Sequence, residues 1–98
     1  LIGNSSVGIV ESATFKIPVI NLGNRQHGKI FPPNVVNSNF NLKSMNRAYK
    51  SILSKAFLTK IKKIKNPYGD GRSGNKIARQ LIKLDINKKL INKKFIDI

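Results

Sequence analysis

The sequence predicts an α/β fold, and only part of one. Three observations carry this reading. The stretch "GNSSVGIVES" (3–12) is a glycine–serine turn running into a helix, and "PVINLG" (18–23) is a short apolar, β-branched run closed by glycine. From Leu42 onward, apolar residues recur at helical spacing. Strand, turn, helix, strand is half of a parallel α/β unit, and strands buried on both faces read as continuous apolar runs.

Taken in order, Leu1 and Ile2 predict the end of a buried strand. Val7, Val10, Ala13 and Thr14 suit a short helix over 7–15. A strand over 18–23 follows, then a second short strand over 34–36 after the Pro32-Pro33 pair. Leu42, Met45, Ala48, Tyr49, Ile52, Leu53, Ala56 and Phe57 mark the clearest helix, with Asn41 as its N-cap and a break near Ser54. The pattern drifts on through Ile61 and Ile64. "NPYGDG" (66–71) is a turn-rich loop. Ser73 is placed to cap another helix carrying Ile77, Leu81 and Leu84, and the tail "NKKLINKKFIDI" (87–98) offers Leu90, Ile91, Phe95 and Ile98 for docking. This inventory does not close, because three or four helices surround only two or three strands, fewer than a parallel sheet normally has. The missing strands are expected before Leu1, making the chain the C-terminal piece of a longer protein.

With 98 residues the chain is one domain at most. It has no cysteine, so neither a disulfide nor a thiolate metal site can staple it, in keeping with a reducing compartment. No apolar run approaches a membrane span, and no signal-peptide pattern opens the chain. The net charge of +15 comes from nineteen basic and four acidic residues. Up to Leu42 there are three basic residues and one acidic, and after it sixteen and three. Only four of the nineteen are arginine, the side chain suited to bidentate phosphate or base contacts. Most lysines alternate with apolar helix positions, as on a solvated face. This argues against a dedicated nucleic-acid site and leaves nonspecific attraction to polyanions.

The chemistry gathers in the charge-poor opening. A glycine-containing turn between a parallel strand and a helix is a ready anion site, because the first helical N–H groups lack internal acceptors. Ser5 and Ser6 add hydroxyl donors there, and Gly3 and Gly8 allow close approach. Open α/β sheets also bind ligands beyond the carboxyl ends of their strands. Glu11 would repel a phosphate, so a better partner is a pair of ribose hydroxyls on the same ligand. The plainer alternative stays open: Ser5 caps the helix and Glu11 complements its dipole. Arg25, in "NLGNRQHGK" beyond the next strand, could reach the same anion or stand in a surface turn. His27 has no second histidine or carboxylate pattern beside it and reads as an exposed loop residue, so no metal site is expected.

These residues are ordered as in a known family. "GNSSVGIVES…PVINLGNRQHGK…NPYGDG" resembles the C-terminal domain of hydrolysing UDP-N-acetylglucosamine 2-epimerases, whose pattern reads approximately GNSSxGIxEAxxFGxPVxNIGxRQxGR and later NPYGDG. The match spans residues 3–71, and the ending "FIDI" is also similar. The resemblance implies a glycosyltransferase-B-like architecture of two Rossmann-like domains with a UDP-sugar in the cleft, this chain being the later part of the second. Residues 1–40 would be the nucleotide-binding strand, helix and loop region, and 41–98 the helical remainder and tail. It further implies that Ser5, Ser6 and Gly8 serve the UDP phosphates, Glu11 the ribose and Arg25 the nucleotide. The family's proton-transfer acids and bases belong to the N-terminal domain, so no catalytic residue is expected here, and this piece alone should be inactive. No cofactor is implied. The implied whole is a cytoplasmic homo-oligomer feeding sialic-acid-like sugar synthesis, with no specific nucleic acid and no membrane as partner. A non-hydrolysing epimerase is the nearest alternative, although "NLGNRQ" favours the hydrolysing branch. Three departures from the family's usual residues stand out. Lys16 replaces a glycine, which predicts a different helix ending; Ala13 stands where proline is frequent; and Lys29 replaces an arginine. The "NPYGDG" loop is expected to be structural rather than to line the sugar side.

Overall fold

The structure, a computed structural model, describes residues 1–86. The expected docking tail (87–98) lies outside the described residues. Three short strands, β1 (Ile2–Gly3), β2 (Val19–Leu22) and β3 (Val35–Ser38), form a parallel sheet in the order β1-β2-β3. Ile2 pairs with Ile20, and Val19 through Leu22 run alongside Val35 through Ser38. The helices are α1 (Val7–Val10), α2 (Leu42–Leu53), α3 (Lys55–Ile61) and α4 (Ser73–Ile82). The α/β class is therefore as the sequence predicts. None of the described helices is long and apolar enough to cross a membrane.

Side-chain alternation along β2 feeds both faces of the sheet. Ile20 packs with Ala48 and Ile52 of α2, and Leu22, Val36 and Phe57 close around them. On the other face, Val19 meets α1 at Gly8, where an added Cβ would lie 3.0 Å from Val19 Cγ1 and from Leu1 Cδ2. Gly8 is thus a packing glycine that lets α1 lie on the sheet.

The second region follows its periodicity. Asn41 caps α2, its side chain accepting from Ser44 N at 2.8 Å. Ser54 breaks the helix and caps α3 by accepting from Phe57 N at 3.2 Å. Ser73, by contrast, is the first residue of α4 and not its cap: Arg72 holds the cap position, and Asp70 Oδ1 accepts from Arg72 N at 3.0 Å. No residue of α4 is buried, and Ile77 and Leu81 are both exposed.

Two further expectations are corrected. The helix over 7–15 stops at Val10, and residues 11–16 continue as turns. Ser12 Oγ donates to Gly8 O at 2.6 Å, and the Val7 carbonyl accepts from both Glu11 N and Ser12 N. Such back-bonding competes with the regular helix ladder. The strand expected over 34–36 instead spans Val35–Ser38. Asn34 turns its amide inward, donating to Ser12 Oγ and Ile17 O at 2.7 Å each, while the Asn37 carboxamide oxygen accepts from Asn21 Nδ2 at 2.9 Å.

Lys16 does not change the ending of this turn region. Its φ is +57°, and it is the only non-glycine residue with positive φ among those described. Ile17 N donates to Ser12 O at 3.1 Å and Lys16 N to Ala13 O at 3.3 Å. This is the Schellman pattern, in which glycine ordinarily takes the left-handed position. Lys16 keeps the glycine geometry and extends its ammonium to the carbonyl of Ile64.

Candidate functional site

β1 and β2 run parallel, so the segments leaving them emerge at the same edge of the sheet. After β1 comes the turn with Asn4, Ser5 and Ser6, and after β2 the loop with Arg25 and Gln26. Side chains join the two. Arg25 Nη1 donates to the Asn4 carbonyl at 2.9 Å, and Gln26 Nε2 donates to the same oxygen at 2.7 Å. The structure therefore brings Arg25 to the serine turn, as the sequence suggests, instead of leaving it in an isolated surface turn.

The turn is open and rich in donors. Ser5 and Ser6 are exposed. Their carbonyls are engaged, Ser5 O by Gly8 N at 3.2 Å and Ser6 O by Ile9 N at 3.0 Å and Val10 N at 2.9 Å. Their own N–H groups meet no acceptor among the described residues. Gly3 has φ +151° with nothing within 4 Å of an added Cβ, so backbone conformation alone calls for glycine there.

The capping explanation for these residues has weak geometric support. Ser6 holds the N-cap position without a side-chain cap bond, and Ser5 Oγ is 3.4 Å from Val7 N. Glu11 lies at the C-cap of α1, where a carboxylate opposes the helix dipole instead of complementing it. It is exposed and forms no ion pair among the described residues. His27 is exposed, as expected.

Gln26 and Asn34 were not singled out by the sequence, yet they hold the region together. Gln26 is 3% exposed and Asn34 is fully buried. The signal for Gln26 is its place in "RQ", beside the arginine. Asn34 gives only a faint one, an amide directly after two prolines.

The "NPYGDG" loop does structural work, tying the end of α1 and the loop after β2. Asn66 Nδ2 donates to Val10 O and Thr14 Oγ1 at 2.8 Å each, and the Tyr68 hydroxyl donates to Ile30 O at 2.9 Å. A cavity of about 420 Å³ lies beside it, lined by Thr14, Lys16, Lys65, Asn66 and Asp70 among others. It shares no lining residue with the serine turn.

Comparison with known proteins agrees with the motif order. The profile of the UDP-N-acetylglucosamine 2-epimerase family matches residues 1–82. The chain is 40% identical over its whole length to a GDP/UDP-N,N'-diacetylbacillosamine 2-epimerase (hydrolyzing) of Campylobacter jejuni, covering 25% of that protein. It is 29% identical over 95% of its length to a UDP-N,N'-diacetylbacillosamine 2-epimerase (hydrolyzing) of Legionella pneumophila, covering 24% of it. The polysialic acid biosynthesis protein P7 of Escherichia coli is 31% identical over 69% of the chain, covering 17% of that protein. The chain thus spans about a quarter of the length of the first two relatives. No solved structure matches it at a significant level.

Proposed function

The chain belongs to the UDP-N-acetylglucosamine 2-epimerase family, and on that premise we propose that it is the UDP-holding part of a hydrolysing epimerase. The substrate is a UDP-linked 2-acetamido sugar, and the relatives' names favour the N,N'-diacetylbacillosamine type over UDP-N-acetylglucosamine itself. The parent has the glycosyltransferase-B-like architecture, with the sugar-side chemistry in the part this chain does not span. The single observation that carries the reading is the double tie of Arg25 and Gln26 to Asn4, which gathers Ser5, Ser6 and Arg25 at one sheet edge.

In this reading a base removes the C2 proton of the sugar while the C1–O bond to UDP breaks, giving a glycal and UDP. Water then adds at C1 and a proton returns to C2 from the other face, releasing the free epimer. Departure of UDP builds negative charge on its β-phosphate, and donors already aimed at that charge lower the barrier. Ser5, Ser6 and the Arg25 guanidinium supply those donors. Gly8 contributes by letting α1 pack closely beneath the turn, and Glu11 accepts from the ribose hydroxyls. Proton transfer is assigned to the remainder of the enzyme, and Asp70 pairs with Lys76 at 3.5 Å. The parent works in the cytoplasm as a homo-oligomer and needs no cofactor.

The test is a calorimetric UDP titration of the full-length enzyme. Hydrogen bonds to charged groups contribute about 1.5–3 kcal/mol each, so Ser6→Ala and Glu11→Ala should each weaken UDP at least about tenfold. A cationic surface acting alone predicts instead that binding collapses with salt and ignores Glu11. That result would reject the site.

A further inference from the structure

The Asn4 carbonyl oxygen accepts two side-chain hydrogen bonds, one from Gln26 Nε2 at 2.7 Å and one from Arg25 Nη1 at 2.9 Å. A carbonyl oxygen offers two lone pairs, so both are taken. The two donors sit in different surroundings. Gln26 is 3% exposed, and taking away its acceptor would leave a buried N–H without a partner. Arg25 is exposed, and a released guanidinium N–H passes directly to water.

We propose that when UDP binds, Arg25 leaves the Asn4 carbonyl for the diphosphate while Gln26 stays and keeps the turn in its ligand-free shape. Arg25 is a ligand-binding residue parked at the mouth of the site, and Gln26 is a positioning residue. The inference rests on the UDP-binding reading above and divides the labour within it. A charged phosphate oxygen makes a shorter and stronger bond to a guanidinium than a neutral carbonyl does, so the exchange runs toward the ligand. An arginine already held beside the turn also has less freedom to lose on binding. Gln26 makes the exchange tolerable, because Asn4 retains a donor and the serine turn need not rearrange.

The experiment uses the full-length enzyme and three readouts: calorimetry with UDP, amide hydrogen exchange over residues 3–8, and the Arg25 guanidinium NMR signal, assigned by its loss in Arg25→Ala. Saturation with UDP should shift that signal. Arg25→Ala should weaken UDP at least about tenfold yet leave exchange in the ligand-free turn unchanged. At a pH where the new carboxyl is ionised, Gln26→Glu keeps the shape but has no donor, so it should speed that exchange and weaken UDP even with Arg25 in place. If UDP binds and the guanidinium signal does not move, or if Arg25→Ala loosens the free turn as much as Gln26→Glu does, the division of labour is wrong and the site stands. If the wild-type enzyme does not bind UDP at all, the functional reading and this inference fall together. Should Gln26→Glu fail to fold, the wild-type guanidinium signal decides by itself.

Discussion

The first forty residues and the helices that follow treat their polar groups in opposite ways. Every buried polar side chain among the described residues lies in the first stretch: Ser12, Asn21, Gln26, Asn34 and Ser38. They are neutral, and their hydrogen bonds run mostly to one another and to backbone. In α2 the buried positions are Ala48 and Ile52, while Lys43, Arg47 and Lys50 point to solvent along one stripe. By helical geometry that stripe stands on the side away from the buried pair. Most of the net charge of +15 therefore says little about the candidate site. Neutral amides shape the site, and its form should depend little on salt, whereas any attraction of the lysine helices for anions should fade as salt rises.

The sharpest way to break this contrast is to cut apolar volume in both regions. Ile20 is 1% exposed and Leu81 is 63% exposed. Ile20→Ala should cost roughly 3 kcal/mol, and Leu81→Ala less than about 0.5 kcal/mol, as read by denaturant titration. Comparable losses would mean that α4 is as integral as the sheet.

Next in size is Asn34→Leu, which removes the two bonds to Ser12 and Ile17. It should destabilise by about 2 kcal/mol, and a neutral result would show that the amide network is dispensable. Lys16→Gly sharpens the comparison from the other side. Relief of the left-handed backbone, about 1–2 kcal/mol, is mostly offset by the lost bond to Ile64 and the added freedom of glycine when unfolded, leaving a net stabilisation of at most about 0.5 kcal/mol. A fall in the unfolding midpoint would instead give the ammonium contact the larger share.

The smallest effect belongs to Asp70. Its carboxyl is held below the usual value chiefly by the Arg72 backbone N–H, with burial working against it and Lys76 adding a further lowering. A lowered folded value means that the contribution is present above the ordinary carboxylate range and fades as pH falls through the folded value. The Arg72 amide should lose protection only in strong acid, a change that amide exchange can follow. Loss near neutral pH would contradict the assigned cap.

Much of this architecture is legible in the residues, where a local rule decides. The Asn41 cap, the break at Ser54 and the run closing at Gly23 each follow from chemistry within four or five positions. Ser5, Ser6 and Arg25 stand out by residue type in a charge-poor stretch, but that the arginine meets the serine turn is seen only in its bond to the Asn4 carbonyl. What escapes is settled across the chain. The length of α1 turns on the Ser12 hydroxyl, itself held by Asn34 from twenty-two positions away. The extent of β3 depends on Asn37, a poor strand former that enters the sheet because Asn21 on the neighbouring strand donates to it. Gln26 carries no periodic or compositional mark beyond its place beside Arg25, and its role shows only in its bond to the Asn4 carbonyl.

The anchors of Asn66 and Tyr68 set an order of events. They reach partners 56, 52 and 38 positions earlier, at Val10, Thr14 and Ile30. Closing loops of that length carries an entropic cost before any contact rewards it. The turn around Val10 and Thr14 must also exist before Asn66 can seal it. This clasp is therefore expected to close last in folding and to open first in unfolding. Asn66→Ala should hasten unfolding while leaving the refolding rate nearly untouched, and stopped-flow measurement of both limbs would show it. A chain emerging from the ribosome would then build the sheet and its serine turn first and fasten them only once residue 68 has appeared.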